Sequence, residues 1–372
     1  MTTPAALAAL ALLVYTYAGY PLLLLLWSRL APRSLRTRPD FEPSVSVCIA
    51  VHDGERYLRD KIRSLTELDY PPEKLEILLC SDGSTDGTVG LAHELALADP
   101  RIQVFSTAER RGKPSALNLL REQARGEVLL MTDVRQTLSP PSLRALLEPL
   151  ADPGVGCVSG TLVLAGETGP SAYWRYERFI RSCEARRGSM VGVSGSLYAV
   201  RRDDFRELPC DVLLDDMFVP LSLVRWKKCT VLSDRALAFD EACDDEREFG
   251  RKVRTLAGNY QLVAKMPWLL VPGKNGLWFE LVSHKLLRLI CPWALLILFW
   301  GSGALAFDPT LPVAAALAWR ALWSAQLLFY ALALLGPRAG RAGVVARTFV
   351  VLNAAAVVGL WRFLRGSQAV TW

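Results

Sequence analysis

Five acidic positions stand where apolar runs give way to polar turns: Asp53 in AVHDGE, Asp82 in CSDGSTDGT, Asp133 in MTDVRQ, and the pair Asp215 and Asp216 in VLLDDM. Carboxylates at such places can accept hydrogen bonds from ligand N–H and hydroxyl groups, bind a hard cation or take up a proton. A basic cluster, EFGRKVRTL, lies downstream of the last pair. The sharpest stretch is Leu75 to Thr88. Its apolar residues Leu75, Ile77, Leu78 and Leu79 suit a buried strand that stops abruptly in Asp, Gly, Ser and Thr. A parallel strand that ends there and hands over to a helix from Val89 to Leu97 places those polar groups in the crevice at the carboxyl edge of a sheet, where ligands bind. The same residues also fit a solvated turn whose Thr85 or Asp86 caps the next helix.

Positioning these groups needs an α/β domain, and residues 40–276 have its pattern. Strands are expected over Val45 to Ala50, Leu75 to Cys80, Ile102 to Phe105, Val128 to Thr132 and Val155 to Leu164. Helical patterns fall between them, near Glu55 to Leu68, Val89 to Ala98, Lys113 to Arg125 and Pro141 to Leu150. Strand and helix in alternation predict a mostly parallel sheet. SGSLYAVRR and VLLDDMFVPLSL add short elements to the same domain.

Lipid contact is expected on both sides of that domain. With 51% hydrophobic residues in 372 and a mean hydropathy of +0.22, the chain is too apolar for an ordinary soluble protein of its size. Pro4 to Trp27 is long enough to cross a bilayer and lacks the basic start and small-residue cleavage site of a signal peptide, so residues 1–28 read as a retained anchor. Arg29, Arg33, Arg36 and Arg38 follow it, which by the positive-inside bias predicts that the following domain is cytoplasmic, on a multi-pass protein of the inner or plasma membrane. Within 277–372, an amphipathic pattern from Trp278 to Arg288 suits an interfacial helix, and Leu289 to Phe307, Leu311 to Leu335 and Val344 to Trp361 suit spans. Three spans would leave Arg362 and Arg365 outside, against the charge bias, and Arg320 sits inside the second. One segment is therefore expected to be re-entrant or interfacial. The net charge of +6 comes with arginines clustered beside apolar segments, which suits a membrane surface and anionic phosphates and not nucleic acid. The eight cysteines are dispersed without a CxxC pair, as expected of reduced, buried thiols.

Taken in order, with RRGKPSALN between the second and third acidic motifs, the set resembles the inverting family 2 glycosyltransferases, and within them the membrane-embedded branch of cellulose, hyaluronan and poly-N-acetylglucosamine synthases. The likeness extends to one anchor before the domain and several spans after it. It implies a GT-A-type, Rossmann-like catalytic domain with N- and C-terminal transmembrane helices, a nucleotide-sugar donor (a UDP-sugar by the resemblance), and a polysaccharide or lipid-linked acceptor.

The resemblance also assigns roles. Asp53 and Asp82 would bind the base and ribose of the donor, and Lys113 would add a positive charge nearby; alone, Lys113 also fits a surface lysine opening a helix. Asp133 matches the first position of the DxD motif that brings Mg²⁺ or Mn²⁺ to the diphosphate. Arg135 replaces the second acid, so it either meets the diphosphate with its planar fork or points to solvent. Asp216 would be the general base, with Asp215 raising its pKa or capping the helix. Arg251 and Arg254, one helical turn apart, match the two polar positions of a Q/R-x-x-R-W motif that stabilises the departing diphosphate, or else form a solvated basic face. Thr255 stands where that motif has Trp, which argues against processive elongation. Gly192, Gly195 and Ser196 in VGVSGSLYAVRR would let backbone approach the acceptor, or make a tight turn. A dehydrogenase reading fails because GVGCVSG, from Gly154, lacks the strand-turn-helix context. Two alternatives remain, a single addition to a lipid acceptor and a non-catalytic membrane scaffold.

Overall fold

The computed structural model describes residues 2–165, 172–241 and 245–370. Cys243 lies outside them. The chain begins with helix α1 (Thr2–Leu30), which contains a π-helical stretch at Tyr15–Gly19. The catalytic-domain elements follow as β1 (Val45–Val51), α2 (Glu55–Thr66), β2 (Leu75–Asp82), α3 (Thr88–Ala98), β3 (Ile102–Thr107), α4 (Lys113–Gln123), β4 (Val128–Thr132), β5 (Thr137–Leu138), α5 (Ser142–Leu150), β6 (Val155–Ala165), α6 (Ala172–Arg187), β7 (Leu197–Arg201), α7 (Asp215–Leu223), β8 (Cys229–Glu241) and α8 (Asp245–Lys265).

One sheet has the order β3-β2-β1-β4-β7-β6-β8-β5. β1 pairs in parallel with β2 and β4, β2 with β3, and β6 with β8, whereas β7 runs antiparallel to both β4 and β6. The sheet is buried on both faces. Val45, Val47, Ile49 and Val51 pack on the α2 and α5 side with Leu58, Ile62 and Leu146. Cys48 and Ala50, alternating with them, pack on the α4 side with Ala116, Leu117 and Leu120. Burial of both faces explains why β1 and β2 are nearly continuous apolar runs instead of alternating ones. The predicted strands and helices fall within two residues of these elements, but β8 and the antiparallel insertion of β7 were not delimited in advance.

After the domain come α9 (Trp278–Ala306), α10 (Val313–Leu335) and α11 (Gly340–Leu364). The stretch expected to form a separate interfacial helix is instead the first turns of α9, with a π-helical segment at Leu281–Leu286. The reason is local: His284, Lys285 and Arg288 turn toward the buried Glu177 and Glu184 of α6, so the charged face is spent inside the protein. α1 and α9 run against each other, with Ala6 at Gly301, Leu13 among Cys291 and Ala294, and Tyr15 hydrogen-bonded to Ser283 at 2.8 Å. α10 then turns back along α9: Arg320 Nε donates to the Ala306 carbonyl, Gln326 reaches Ser302, and Tyr330 packs edge-on against Phe299.

α11 stays packed against the α/β domain. Its Phe349 and Asn353 meet Tyr17, and Gly359 touches the backbone of α8 at Leu256 and Ala257. The tail after it also lies on the domain, where the Val370 carbonyl accepts from Arg254 Nη2 at 3.2 Å. The C-terminal end of α11 is therefore on the domain, and Arg362 and Arg365 with it. Among the described residues, the stretches Thr2–Leu30, Trp278–Ala306 and Val313–Leu364 are long and apolar enough to cross a membrane.

Candidate active site

The carboxyl ends of β1 and β4 converge on a cavity of about 1090 Å³. All the residues singled out from the sequence line it except Asp82 and Gly192.

Asp53 follows β1 in a left-handed conformation, φ 48°, which is uncommon outside glycine. Its Oδ1 accepts the Thr85 backbone N–H at 2.7 Å, tying the β1 turn to the turn after β2. That bond also holds its carboxyl below the usual aspartate range. Asp82 behaves differently from expectation. It is buried, and its carboxylate accepts the backbone N–H groups of Arg111 and Gly112 at 2.7 and 2.8 Å. Each oxygen bonds the loop that presents Lys113, so Asp82 shapes the site from behind and does not line the cavity. Gly112, at φ +93°, makes the turn that no Cβ-bearing residue favours, and Lys113 opens α4 immediately after it.

Lys113 Nζ lies 2.8 Å from Asp133 Oδ1 and 3.4 Å from Asp215 Oδ2. Burial opposes its charge, but Asp133 and Asp215 outweigh that and hold its pKa above the ordinary lysine value. Beneath Asp133, the fully buried Lys61 donates to Thr132 Oγ1 at 2.6 Å and to the Gln136 carbonyl at 2.8 Å, which fixes the turn on both sides of the acid. Arg135 lines the cavity and is tied back to the sheet. It pairs with the buried Asp240 of β8 at 2.5 Å, beside the Gln136 amide bound to the same carboxylate. Its guanidinium thus offsets the charge of the buried Asp240.

Asp215 and Asp216 start α7, where the helix dipole favours negative charge. Burial, and next the neighbouring Asp215, push the Asp216 carboxyl up to about 6, against the pull of Lys113, Arg181 and Lys285. The Val193 N–H donates to the Asp216 carbonyl at 2.9 Å, so the Gly195–Ser196 loop is tied to the acid pair. A Cβ placed on Gly195 would stand 3.9 Å from both Asp216 Oδ2 and Lys113 Nζ, which locates Gly195 beside the two groups at once. Gly192 packs against Met217 instead and lines only a small hollow behind Asp216. On α8, Arg251, Lys252, Arg254 and Thr255 all face the cavity.

A divalent ion is compatible with this wall in one way. Among the described residues no group of three His, Cys, Asp or Glu side chains could cage a metal. Asp133 nevertheless presents a 38% exposed carboxylate to the cavity. Magnesium-like ions are commonly held by one or two carboxylates together with substrate phosphates, so Asp133 fits an ion shared with a ligand.

The sequence reading missed the part of the wall that three helices build. α6 contributes Tyr173, Trp174, Tyr176, Glu177 and Arg181, α9 contributes Lys285 and Arg288, and α11 contributes Val344, Val345, Thr348, Phe349 and Leu352. Tyr173, Glu177, Ile180 and Glu184 recur at intervals of three and four, a helical face that could have been found in YWRYERFIRSCE.

The sequence profile of Glycosyl transferase family 2 matches residues 46–208, from β1 to just before the Asp215–Asp216 pair. The chain carries a family 2 glycosyltransferase domain. A mannosyltransferase from Pyrobaculum calidifontis, solved in complex with GDP-Man and Mn²⁺, is 25% identical, superposes with a TM-score of 0.75, and is matched over 98% of this chain and 100% of its own. That likeness supports the GT-A-like architecture of the glycosyltransferase domain together with its helices. Among curated relatives, the glycosyltransferase AglE of Haloferax volcanii is 28% identical over 37% of this chain and 45% of its own length. An N-acetylglucosaminyltransferase of a Rhizobium species is 27% identical over 56% and 48%. The chain thus spans about half the length of these two relatives.

Proposed function

We propose that the protein is an inverting glycosyltransferase that moves a hexosyl or N-acetylhexosaminyl group from a nucleoside diphosphate sugar to a lipid-linked acceptor at a membrane face. One observation carries this reading: Lys113, Asp133, Asp216, Arg251 and Arg254 share a single cavity with the apolar face of α11. Asp216 accepts the proton of the acceptor hydroxyl while that oxygen attacks the anomeric carbon opposite the leaving group. The bond from that carbon to the diphosphate oxygen breaks, its electron pair leaves with the nucleoside diphosphate, and the configuration inverts. Lys113, Arg251 and Arg254 supply positive charge where the departing diphosphate gathers negative charge. A divalent ion, when bound by Asp133 and the donor phosphates, would add to that neutralisation. Asp53 is the donor-facing acid of the β1 turn, and Asp215 shares Lys113 with Asp133.

The GDP-Man and Mn²⁺ held by the similar mannosyltransferase of Pyrobaculum calidifontis support the donor class. The arginines after α1 support a cytoplasmic location for the domain. Single addition is favoured over polymer growth because Thr255, on the cavity wall, stands where the polymer synthases that the sequence resembles have Trp. The test is a panel of UDP- and GDP-sugars offered to the purified protein in lipid, with Mn²⁺ or with chelator. The expected result is nucleoside diphosphate release from one donor, reduced by the chelator. Inertness toward every donor would favour a non-catalytic scaffold.

A further inference from the structure

Behind the proposed base lies a group of polar side chains that the transfer chemistry does not use. Arg181 of α6 lines the main cavity and also the small hollow on the far side of Asp216. It is half-buried, and among the described residues it has no hydrogen-bond or ion-pair partner. Asn259 of α8 lines the same two spaces, is only 4% exposed, and its Oδ1 is without a partner. A buried amide oxygen left unsatisfied in a cavity wall is costly unless a ligand completes it, and Arg181 beside it presents an unpaired positive charge to the same space. Glu177 is shared by His284, Lys285 and Arg288, and among the described residues no carboxylate lies within ion-pair distance of Arg181. From this polar region the lining turns apolar along one face of α11, from Val344 to Ala356, about 18 Å at the helical rise.

We propose that this region is the acceptor subsite, and that the acceptor is a lipid whose sugar is joined to the chain through a phosphate or diphosphate. The inference rests on the glycosyl-transfer reading and specifies its acceptor. The anionic group belongs at Arg181, at the border of the polar and apolar walls, with the hydrocarbon along Val345, Phe349 and Leu352 and a sugar hydroxyl donating to Asn259 Oδ1. A neutral glycolipid would leave Arg181 unpaired, and a free glycan would leave the α11 face empty.

Farnesyl diphosphate, farnesol and inorganic diphosphate serve as probes of binding to the full-length protein in vesicles of neutral lipid. Donor hydrolysis is measured on the same preparations, so that loss of the transferase reading and loss of this one are told apart. Wild type is expected to bind farnesyl diphosphate far better than farnesol or inorganic diphosphate. Arg181→Gln should weaken that binding about tenfold or more, with partial rescue by Arg181→Lys, while Lys113→Ala leaves it unchanged. Arg181 makes no contact whose loss would unfold the chain, so the variant is expected to stay folded. Equal binding of farnesol overturns the proposal. So does a loss in Lys113→Ala that matches the loss in Arg181→Gln, which would put the probe in the donor's place. If Arg181→Gln only moved the pH dependence of donor hydrolysis and left probe binding intact, Arg181 would be tuning Asp216 and the proposal would fail.

Discussion

Asp216 concentrates the chemistry of this site in one carboxyl group. Burial and the adjacent Asp215 raise its pKa to about 6, close enough to neutrality for efficient proton transfer while most of the group remains ionised at pH 7. A base must be deprotonated to act, so kcat/KM is expected to fall as pH drops below about 6. Replacing Asp215 by Asn removes the like charge that raises Asp216, so that acid limb should move to lower pH; a pH–rate profile of both proteins checks the direction. An unmoved or raised limb would remove Asp215 from this role. The acidic motifs were legible because each follows an apolar strand at a polar turn. Which way a carboxylate points was not. Asp82 and Asp53 stand at equivalent strand ends, yet Asp82 satisfies two backbone N–H groups while Asp53 faces the cavity. Arg135 likewise turned on a long-range partner, Asp240, that lies 105 residues away in sequence.

Helix packing decides whether the basic groups of α8 reach the cavity at all. Gly359 of α11 is where the two helices meet, since a Cβ there would stand 2.9 Å from the Ala257 nitrogen and 3.2 Å from the Leu256 carbonyl carbon. Contacts that short are backbone contacts and cannot be relieved by a rotamer change. Gly359→Leu should push α11 off α8, displace Arg251 and Arg254, and lower turnover by about tenfold or more. Gly90→Ala in α3, where nothing lies within 4 Å, is the control and should keep full activity with a slightly higher melting temperature. If both variants were equally active, the helix contact would have no bearing on the site. The first half of the sheet was legible because strand and helix alternate there with turn signals between them. The placement of β7 between β4 and β6, antiparallel to both, depends on pairings between distant segments that local patterning does not encode.

At the level of the whole molecule, the helices form a floor under the catalytic domain, and α11 makes that floor one wall of the cavity. Hydropathy alone read α11 as a third C-terminal span, and the charge bias of Arg362 and Arg365 was the signal against it. Their position on the domain's side, with Gln368 and Val370, accounts for that conflict. Thiol labelling of sealed vesicles should therefore find Arg341→Cys and Ser367→Cys accessible from the same side as the exposed Cys210, and Thr310→Cys from the opposite side. Labelling of Ser367→Cys with Thr310→Cys would mean that α11 crosses. The central claim, that this cavity transfers a sugar with Asp216 as base, is tested most directly by comparing donor binding and nucleoside diphosphate release in wild type and Asp216→Asn under identical lipid and metal conditions. The variant is expected to bind the donor as wild type does and to release product about a hundredfold or more slowly. Release at the wild-type rate by Asp216→Asn would contradict the account.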